Sequence, residues 1–119
     1  MEAEARSLIG EIRLKNLRLI YESPSEYVVV QIDRHGNRHE QDIPKVVAET
    51  VANILEGEQI SVDEATGILE PMIDDGIFQT PFTYGHKLHY YVQDVLLVLV
   101  AIGRAERRKG GRAFVYRIL

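Results

Sequence analysis

The chain has 119 residues, of which 45% are apolar and 27% are charged, a composition typical of one soluble globular domain and not of a disordered segment. It contains no cysteine, which excludes disulfides, thiolate zinc sites and cysteine nucleophiles and favours a reducing, cytoplasmic location. The net charge of −4 argues against indiscriminate binding to nucleic acid.

No membrane association is expected. Residues 1–12 carry acids where a signal peptide has basic residues, and they lack a long apolar run. The apolar run Val95–Ile102 has eight residues, whereas a membrane-spanning helix needs about 20. This run is therefore expected in a core or an interface.

The positive charge of the chain is concentrated at its C-terminal end. Residues 104–119 hold six basic residues and one acidic residue, a net charge of +5, so residues 1–103 carry a net charge of −9. A basic end on an acidic body favours an anionic partner that meets one face of the protein. The alternative is a solvated segment whose charged side chains serve only solubility.

The first 43 residues predict mainly extended structure. Residues 1–13 fit either a helix or a strand, and we favour a short helix. Residues 17–22 and 27–33 alternate as strands do, and residues 34–37 suit a hairpin turn because glycine and asparagine tolerate positive φ. The polar return segment, residues 38–43, is typical of a sheet edge.

The next segment predicts a helix with an apolar stripe that begins at Val47. Asp42 is the candidate N-cap, and Pro44 would lie in the first turn, where its missing N–H does no harm. Gly57 is placed to end this helix.

A second helix is predicted to begin at Ser61-Val62-Asp63-Glu64, which matches a capping box. Pro71 interrupts the apolar pattern of this helix, so we expect a break or kink near Glu70 and an end at Gly76. Residues 77–82 are expected to form a connector.

The last third of the chain predicts a long apolar helix followed by a basic hairpin. The helix is expected to start at residues 83–85 and to stop at Gly103, with a strand as the alternative because of its β-branched residues. Residues 95–101 are apolar nearly all round, which fits the centre of a domain or the seam of a homodimer. The hairpin arms are residues 104–108 and 113–118.

From Pro44 onward this order of elements, with its helices and its final basic hairpin, resembles the winged-helix superfamily over about 75 residues. The resemblance implies an α+β fold, with a winged helix-turn-helix domain over residues 44–119 whose wing is residues 104–118. An N-terminal helix and β-hairpin, residues 1–43, would precede it within a single domain of residues 1–119. The last helix would lie in or near the DNA major groove, and the wing would contact phosphates or the minor groove.

Two groups of side chains are the candidate DNA contacts under this resemblance. Basic side chains suit phosphate contact, and polar side chains at the start of the last helix are needed to read bases. The basic group is Arg104, Arg107, Arg108, Lys109 and Arg112. The helix group is His86, Lys87, His89, Tyr90 and Gln93. Residues 61–75 are the alternative recognition helix.

The expected function is that of a non-enzymatic DNA-binding protein and transcriptional regulator, which acts as a homodimer on double-stranded DNA without a cofactor. The alternative is a winged-helix protein–protein interaction module in a larger assembly.

No metal site or catalytic site is predicted. His35 and His39 lie four residues apart and His86 and His89 three apart, but zinc needs three or four ligands in fixed geometry. Acidic pairs such as Asp74-Asp75 are explained as solvated helix ends. The chain has no nucleophile elbow and no phosphate-binding glycine loop.

Overall fold

A computed structural model describes residues 5–74, 88–111 and 113–119, which form a mixed α+β fold. The strands lie in two antiparallel sheets with the orders β1-β2-β3-β4 and β5-β7-β6. The elements are β1 (Ser7–Arg13), β2 (Leu17–Glu22), β3 (Glu26–Ile32), β4 (Arg38–Pro44), α1 (Lys45–Leu55), β5 (Gln59–Ile60), α2 (Val62–Asp74), α3 (Leu88–Ala101), β6 (Ala105–Gly110) and β7 (Ala113–Ile118). The expected α+β class is confirmed.

The N-terminal sheet, β1 to β4, is larger than the expected hairpin. Residues 7–13 form a strand that pairs with β2, so the short helix predicted over residues 1–13 is wrong for this part. The apolar spacing of Leu8, Ile9 and Ile12 suits both structures, and the free edge of β2 decides between them because pairing satisfies the backbone of both strands. The predicted turn over residues 34–37 is confirmed, since it joins β3 to β4.

The helix α3 lies at the centre of the protein. It packs against β1, β3 and β4 on one side and against α1 and α2 on the other. Ile20, Tyr27, Val29 and Ile43 of the N-terminal sheet belong to the same buried core as α3. Eight of its 14 residues are buried, which explains why its sequence is apolar nearly all round.

The start of α1 differs from the prediction, whereas the start of α2 agrees with it. Asp42 lies within β4 and does not cap α1, which begins directly after Pro44 without a side-chain cap. The predicted capping box is confirmed, since the Ser61 amide donates to Glu64 Oε1 at 3.0 Å and the Glu64 amide donates to Ser61 Oγ at 3.2 Å.

Of the break or kink expected near Glu70, the break is wrong, because α2 continues through Pro71 to Asp74, and the kink stays a prediction. Packing of α2 on α3 holds this last turn in place, and Leu69 is buried in the common core. The loss of one backbone hydrogen bond at a proline is evidently outweighed here by burial of the apolar face. The predicted stop at Gly76 and the connector after it lie outside the described residues.

The C-terminal hairpin, β6 and β7, forms where the sequence predicts it. The preceding helix α3 ends at Ala101, and Gly103 adopts a φ of 79°, the left-handed conformation that a helix end requires. Because Leu88–Ala101 is a helix, the alternative prediction of a strand for these residues is wrong. At 14 residues α3 is too short to cross a membrane, and no other helix in the described ranges is long and apolar enough to do so.

Substitution of Gly10 tests the packing of the N-terminal sheet on α3. A Cβ atom at Gly10 would lie 3.0 Å from Ala101 Cβ, and neither atom is able to rotate away. We expect Gly10→Val to destabilise the protein by about 1–3 kcal/mol, measured by urea denaturation with circular dichroism.

The matched control is Gly67→Ala, in the exposed middle of α2, where no neighbouring atom lies within 4 Å of the added Cβ. This variant is expected to gain about 0.5–1 kcal/mol because alanine is the better helix former. An unchanged stability of Gly10→Val would contradict the packing described above.

Candidate nucleic-acid interface

A half-open cleft of about 770 Å³ lies between the first hairpin of the N-terminal sheet, the start of α3 and β7. We call it the basic cleft, because its lining contains three cations and no carboxylate. The residues that line it are Arg13, Leu14, Lys15, Asn16, Arg18, Gln31, Tyr90, Gln93 and Phe114. Its size is in the range of protein sites for small ligands.

The turn between β1 and β2 brings the three cations together. Leu14 N–H donates to the carbonyl of Asn16 at 3.2 Å and closes the turn, and Arg18 Nη1 donates to the same carbonyl at 3.2 Å. Arg18 then lies opposite Gln31 of β3, on the sheet face that packs on α3. Arg13 and Lys15 are exposed at the mouth of the cleft.

This end of the N-terminal sheet is basic as a whole. Leu17 pairs with Ile32 and Ile32 pairs with Arg38, so the β1–β2 and β3–β4 turns lie side by side. Of the eight basic residues in residues 1–103, five therefore lie at this end of the sheet. They are Arg13, Lys15, Arg18, Arg34 and Arg38.

A buried ion pair supports the inner wall of the cleft. Arg18 Nε lies 3.8 Å from Asp94 Oδ1 of α3, a separation that permits charge attraction but is too long for a hydrogen bond. Arg18 is only 8% exposed. Burial raises the pKa of Asp94 to about 7, because the cost of desolvating its carboxylate exceeds the opposing effect of Arg18.

The C-terminal hairpin supplies the other wall. The Arg107 guanidinium lies over the Phe114 ring, with 4.1 Å from Cζ to the ring centroid, an arrangement that combines stacking with cation–π attraction. Arg107 pairs across the strands with Tyr116, and burial raises the pKa of the Tyr116 hydroxyl. Lys109 pairs with Phe114, so Arg107, Lys109 and Phe114 share one face of the hairpin.

The predicted basic group is divided between different environments. Arg108 and Lys109 are exposed, and Arg107 is half-buried. Arg104 lies at the base of the hairpin, where its Nη1 is 3.3 Å from Glu49 Oε2 of α1. Its charge is thus partly neutralised within the protein. Arg112 lies outside the described residues.

The predicted helix group has few members at the surface. Tyr90 is 60% exposed, Gln93 is half-buried and lines the cleft, and the half-buried His89 ring lies 4.0 Å from the Tyr90 ring between centroids. His86 and Lys87 lie outside the described residues. The remaining length of α3 is covered by the N-terminal sheet and by α1 and α2, so it has no continuous free face to insert into a groove.

The alternative recognition helix, α2, is a poor candidate on electrostatic grounds. Its exposed residues include Asp63, Glu64 and Glu70, and the described part of the helix has no basic residue. Acidic side chains on the exposed face of a helix repel the phosphates that border a groove.

The N-terminal half of the cleft is not among the residues predicted from the sequence. The segment Arg13-Leu14-Lys15-Asn16-Leu17-Arg18 holds three cations and no acid, which is a usable signal. Summing the charge over all 103 residues concealed it among the acids elsewhere. The sequence predicts no role for Phe114, which is 36% exposed and borders the cleft.

The structure also removes one ground for the expected homodimer. Residues 95–101 are a candidate dimer seam because they are apolar nearly all round, but residues 95–99 are buried within the single chain, and Val100 and Ala101 are half-buried. The N-terminal sheet buries the apolar surface of α3 that the other helices leave uncovered.

No group of three or more histidines or acids in the described ranges is arranged to hold a metal ion. His39 Nε2 lies 3.6 Å from Asp33 Oδ2, and the Asp33 carboxylate accepts hydrogen bonds from the backbone N–H groups of His35 and Asn37, which form the β3–β4 turn.

No protein-family model, curated protein or solved structure matches the chain.

The raised pKa of Asp94 predicts a pH-dependent stability. Between its ordinary value of 3.8 and about 7 the folded state binds the proton more tightly than the unfolded state, so this residue lowers stability as pH rises through that window. Asp94→Asn imitates the protonated form. We expect the stability advantage of the variant over the parent to be larger near pH 8 than near pH 5, because each tenfold difference in proton affinity corresponds to about 1.4 kcal/mol and only part of the window has been crossed at pH 5.

Urea denaturation at the two pH values measures this difference. The exposed Asp42→Asn on β4 is the control for loss of one carboxylate charge. A stability difference between Asp94→Asn and the parent that is the same at both pH values would contradict the prediction.

Proposed function

We propose that this protein is a non-enzymatic DNA-binding module that contacts the phosphate backbone with two basic elements. These elements are the exposed strand β6, with Arg108 and Lys109, and the β1–β2 turn, with Arg13 and Lys15. The observation that carries the proposal is that the β1–β2 turn and Phe114 of the C-terminal hairpin line the same cleft, and that Lys109 of β6 pairs across the strands with Phe114, in a protein of net charge −4. Concentrated positive charge on one side of an acidic protein is the electrostatic footprint of a polyanion partner.

The order of elements supports a winged-helix assignment for residues 45–118. The helices α1, α2 and α3 are followed directly by the β6–β7 hairpin, and β5 pairs with β7 and joins that hairpin to the helices. In this assignment the hairpin is the wing. The N-terminal sheet is an addition that packs on the helix expected to read DNA.

The covered helix determines the type of binding that we propose. Phosphate contacts provide affinity without sequence information, whereas base contacts require side chains that reach into a groove. Among the described residues of α3, Tyr90 is exposed and Gln93 and His89 are half-buried. We therefore propose backbone recognition with weak sequence preference, and the expected role as a sequence-specific transcriptional regulator stays a prediction.

Removal of single cations tests this function. Each of Arg108→Ala, Lys109→Ala and Lys15→Ala is expected to weaken binding to random-sequence duplex DNA several-fold. Each should also reduce the slope of log affinity against log salt by about one, because one phosphate contact is lost. Fluorescence anisotropy between about 50 and 200 mM salt gives both values.

The matched control is Arg6→Ala. Arg6 precedes β1 at the opposite end of the N-terminal sheet, where its Nη1 lies 2.8 Å from Glu40 Oε1. The variant loses the same charge as the others but should bind DNA like the parent. Absence of duplex binding by the parent at low salt, or equal losses in Arg6→Ala and Lys109→Ala, would refute the proposal.

A protein-docking role is the second candidate, and the outer face of the N-terminal sheet favours it. Leu17, Leu19 and Tyr21 of β2 pair with Ile32, Val30 and Val28 of β3 on the face that points away from α3, where Val28 and Val30 are buried and the other four apolar side chains are half-buried. Co-purification with one protein partner, combined with no affinity for DNA, would favour this function over the first.

A further inference from the structure

We propose that the basic cleft binds unpaired nucleotides of single-stranded nucleic acid, with bases stacked on Tyr90 and Phe114 and the phosphates held by Arg13 and Lys15. The inference rests on the proposed nucleic-acid function and adds to it the form of ligand that the cleft takes. The basic surface around the cleft is able to contact duplex DNA whether or not the cleft binds unpaired nucleotides.

Two aromatic rings face the same cleft from different elements. Tyr90, on the first turn of α3 in the described chain, is 60% exposed, and Phe114, on β7, is 36% exposed. Neither ring belongs to the buried core. Exposed aromatic rings above a groove of positive charge are the arrangement that single-strand-binding proteins use, because every base has a flat face that stacks on an aromatic ring.

The Phe114 ring is held in place by its neighbour. The guanidinium of Arg107 covers one side of the ring at 4.1 Å and is itself half-buried, so little side-chain freedom is lost when a ligand arrives. The same guanidinium adds positive charge next to the stacking site, which favours a base that carries a phosphate over an uncharged aromatic ligand.

The cleft also provides groups that suit base edges. Asn16, Gln31 and Gln93 line it, and each side-chain amide has both a donor and an acceptor. Arg13 and Lys15 are exposed beside them and supply the charge for the backbone. Amides suit the edges of a base, aromatic rings suit its faces and cations suit the phosphate, so the cleft matches a nucleotide better than an acidic peptide, which has no need of the rings.

Double-stranded DNA offers no base face that is free to stack on the rings of the cleft. Within a duplex the faces of the bases are stacked on one another, and only their edges are presented in the grooves. Unpaired bases alone have a face free for Tyr90 or Phe114. Loss of an aromatic ring is therefore expected to weaken single-strand binding in the cleft but not phosphate contact on the hairpin.

The test uses Tyr90→Ala and Phe114→Ala with an oligothymidylate and an oligouridylate of about 15 nucleotides, and with random duplex DNA. Each substitution is expected to weaken single-strand binding about tenfold or more, from the loss of one stacked base, and to leave duplex binding within about twofold. Tyr90→Phe and Phe114→Tyr retain a ring and should retain single-strand affinity. A difference between the two oligonucleotides identifies DNA or RNA as the preferred source of the nucleotide.

A direct readout comes from Tyr90→Trp. The chain has no tryptophan, so this variant carries a single reporter in the cleft. Stacking of a base on the indole should quench its fluorescence along the same titration curve that anisotropy gives. An oligoglutamate of equal charge should neither quench the reporter nor compete with the oligothymidylate.

The outcomes separate this inference from the function on which it rests. Duplex binding without single-strand binding overturns the inference and leaves the proposed function standing, whereas absence of both refutes both. Equal losses of duplex and single-strand binding in the alanine variants, or competition by oligoglutamate, reduce the cleft to a general anion surface and overturn the inference. Loss of single-strand binding alone, restored by the conservative variants, supports it.

Discussion

The burial of α3 between the N-terminal sheet and the helices α1 and α2 is the constraint on which the rest of the structure depends. It joins the strands β1 to β4 to the remaining elements in one hydrophobic core. The contact is close, since Gly10 has no room for a side chain opposite Ala101. The same burial removes most of α3 from the surface, so little of this helix is available to a large partner.

The electrostatic design follows from this packing. The N-terminal sheet places its β1–β2 turn across the basic cleft from Phe114 of the C-terminal hairpin. Arg18 lies where the sheet meets α3 and faces Asp94. The cleft and its buried ion pair are thus products of one interface, which is why the Asp94 carboxylate has lost enough water to raise its pKa to about 7.

Local patterns predicted much of the fold and less of the site. The capping box at Ser61, the turn over residues 34–37 and the C-terminal hairpin formed as expected, because each depends on interactions within a few residues. The N-terminal helix and the break at Pro71 were wrong because pairing with β2 and packing on α3 outweighed local preference. Within the site, the sequence predicted the exposed cations of β6 but not the role of the β1–β2 turn.

The sequence by itself determined that the chain forms an α+β domain and that its C-terminal hairpin is basic, since periodicity and charge are properties of neighbouring residues. Only the tertiary structure decided which surfaces remain available. It covered α3, which the apolar pattern left open as a core or a dimer seam, and it brought Lys15 and Phe114 to one cleft from opposite ends of the chain. Such proximity depends on how strands and helices pack over long separations, and no local pattern records it.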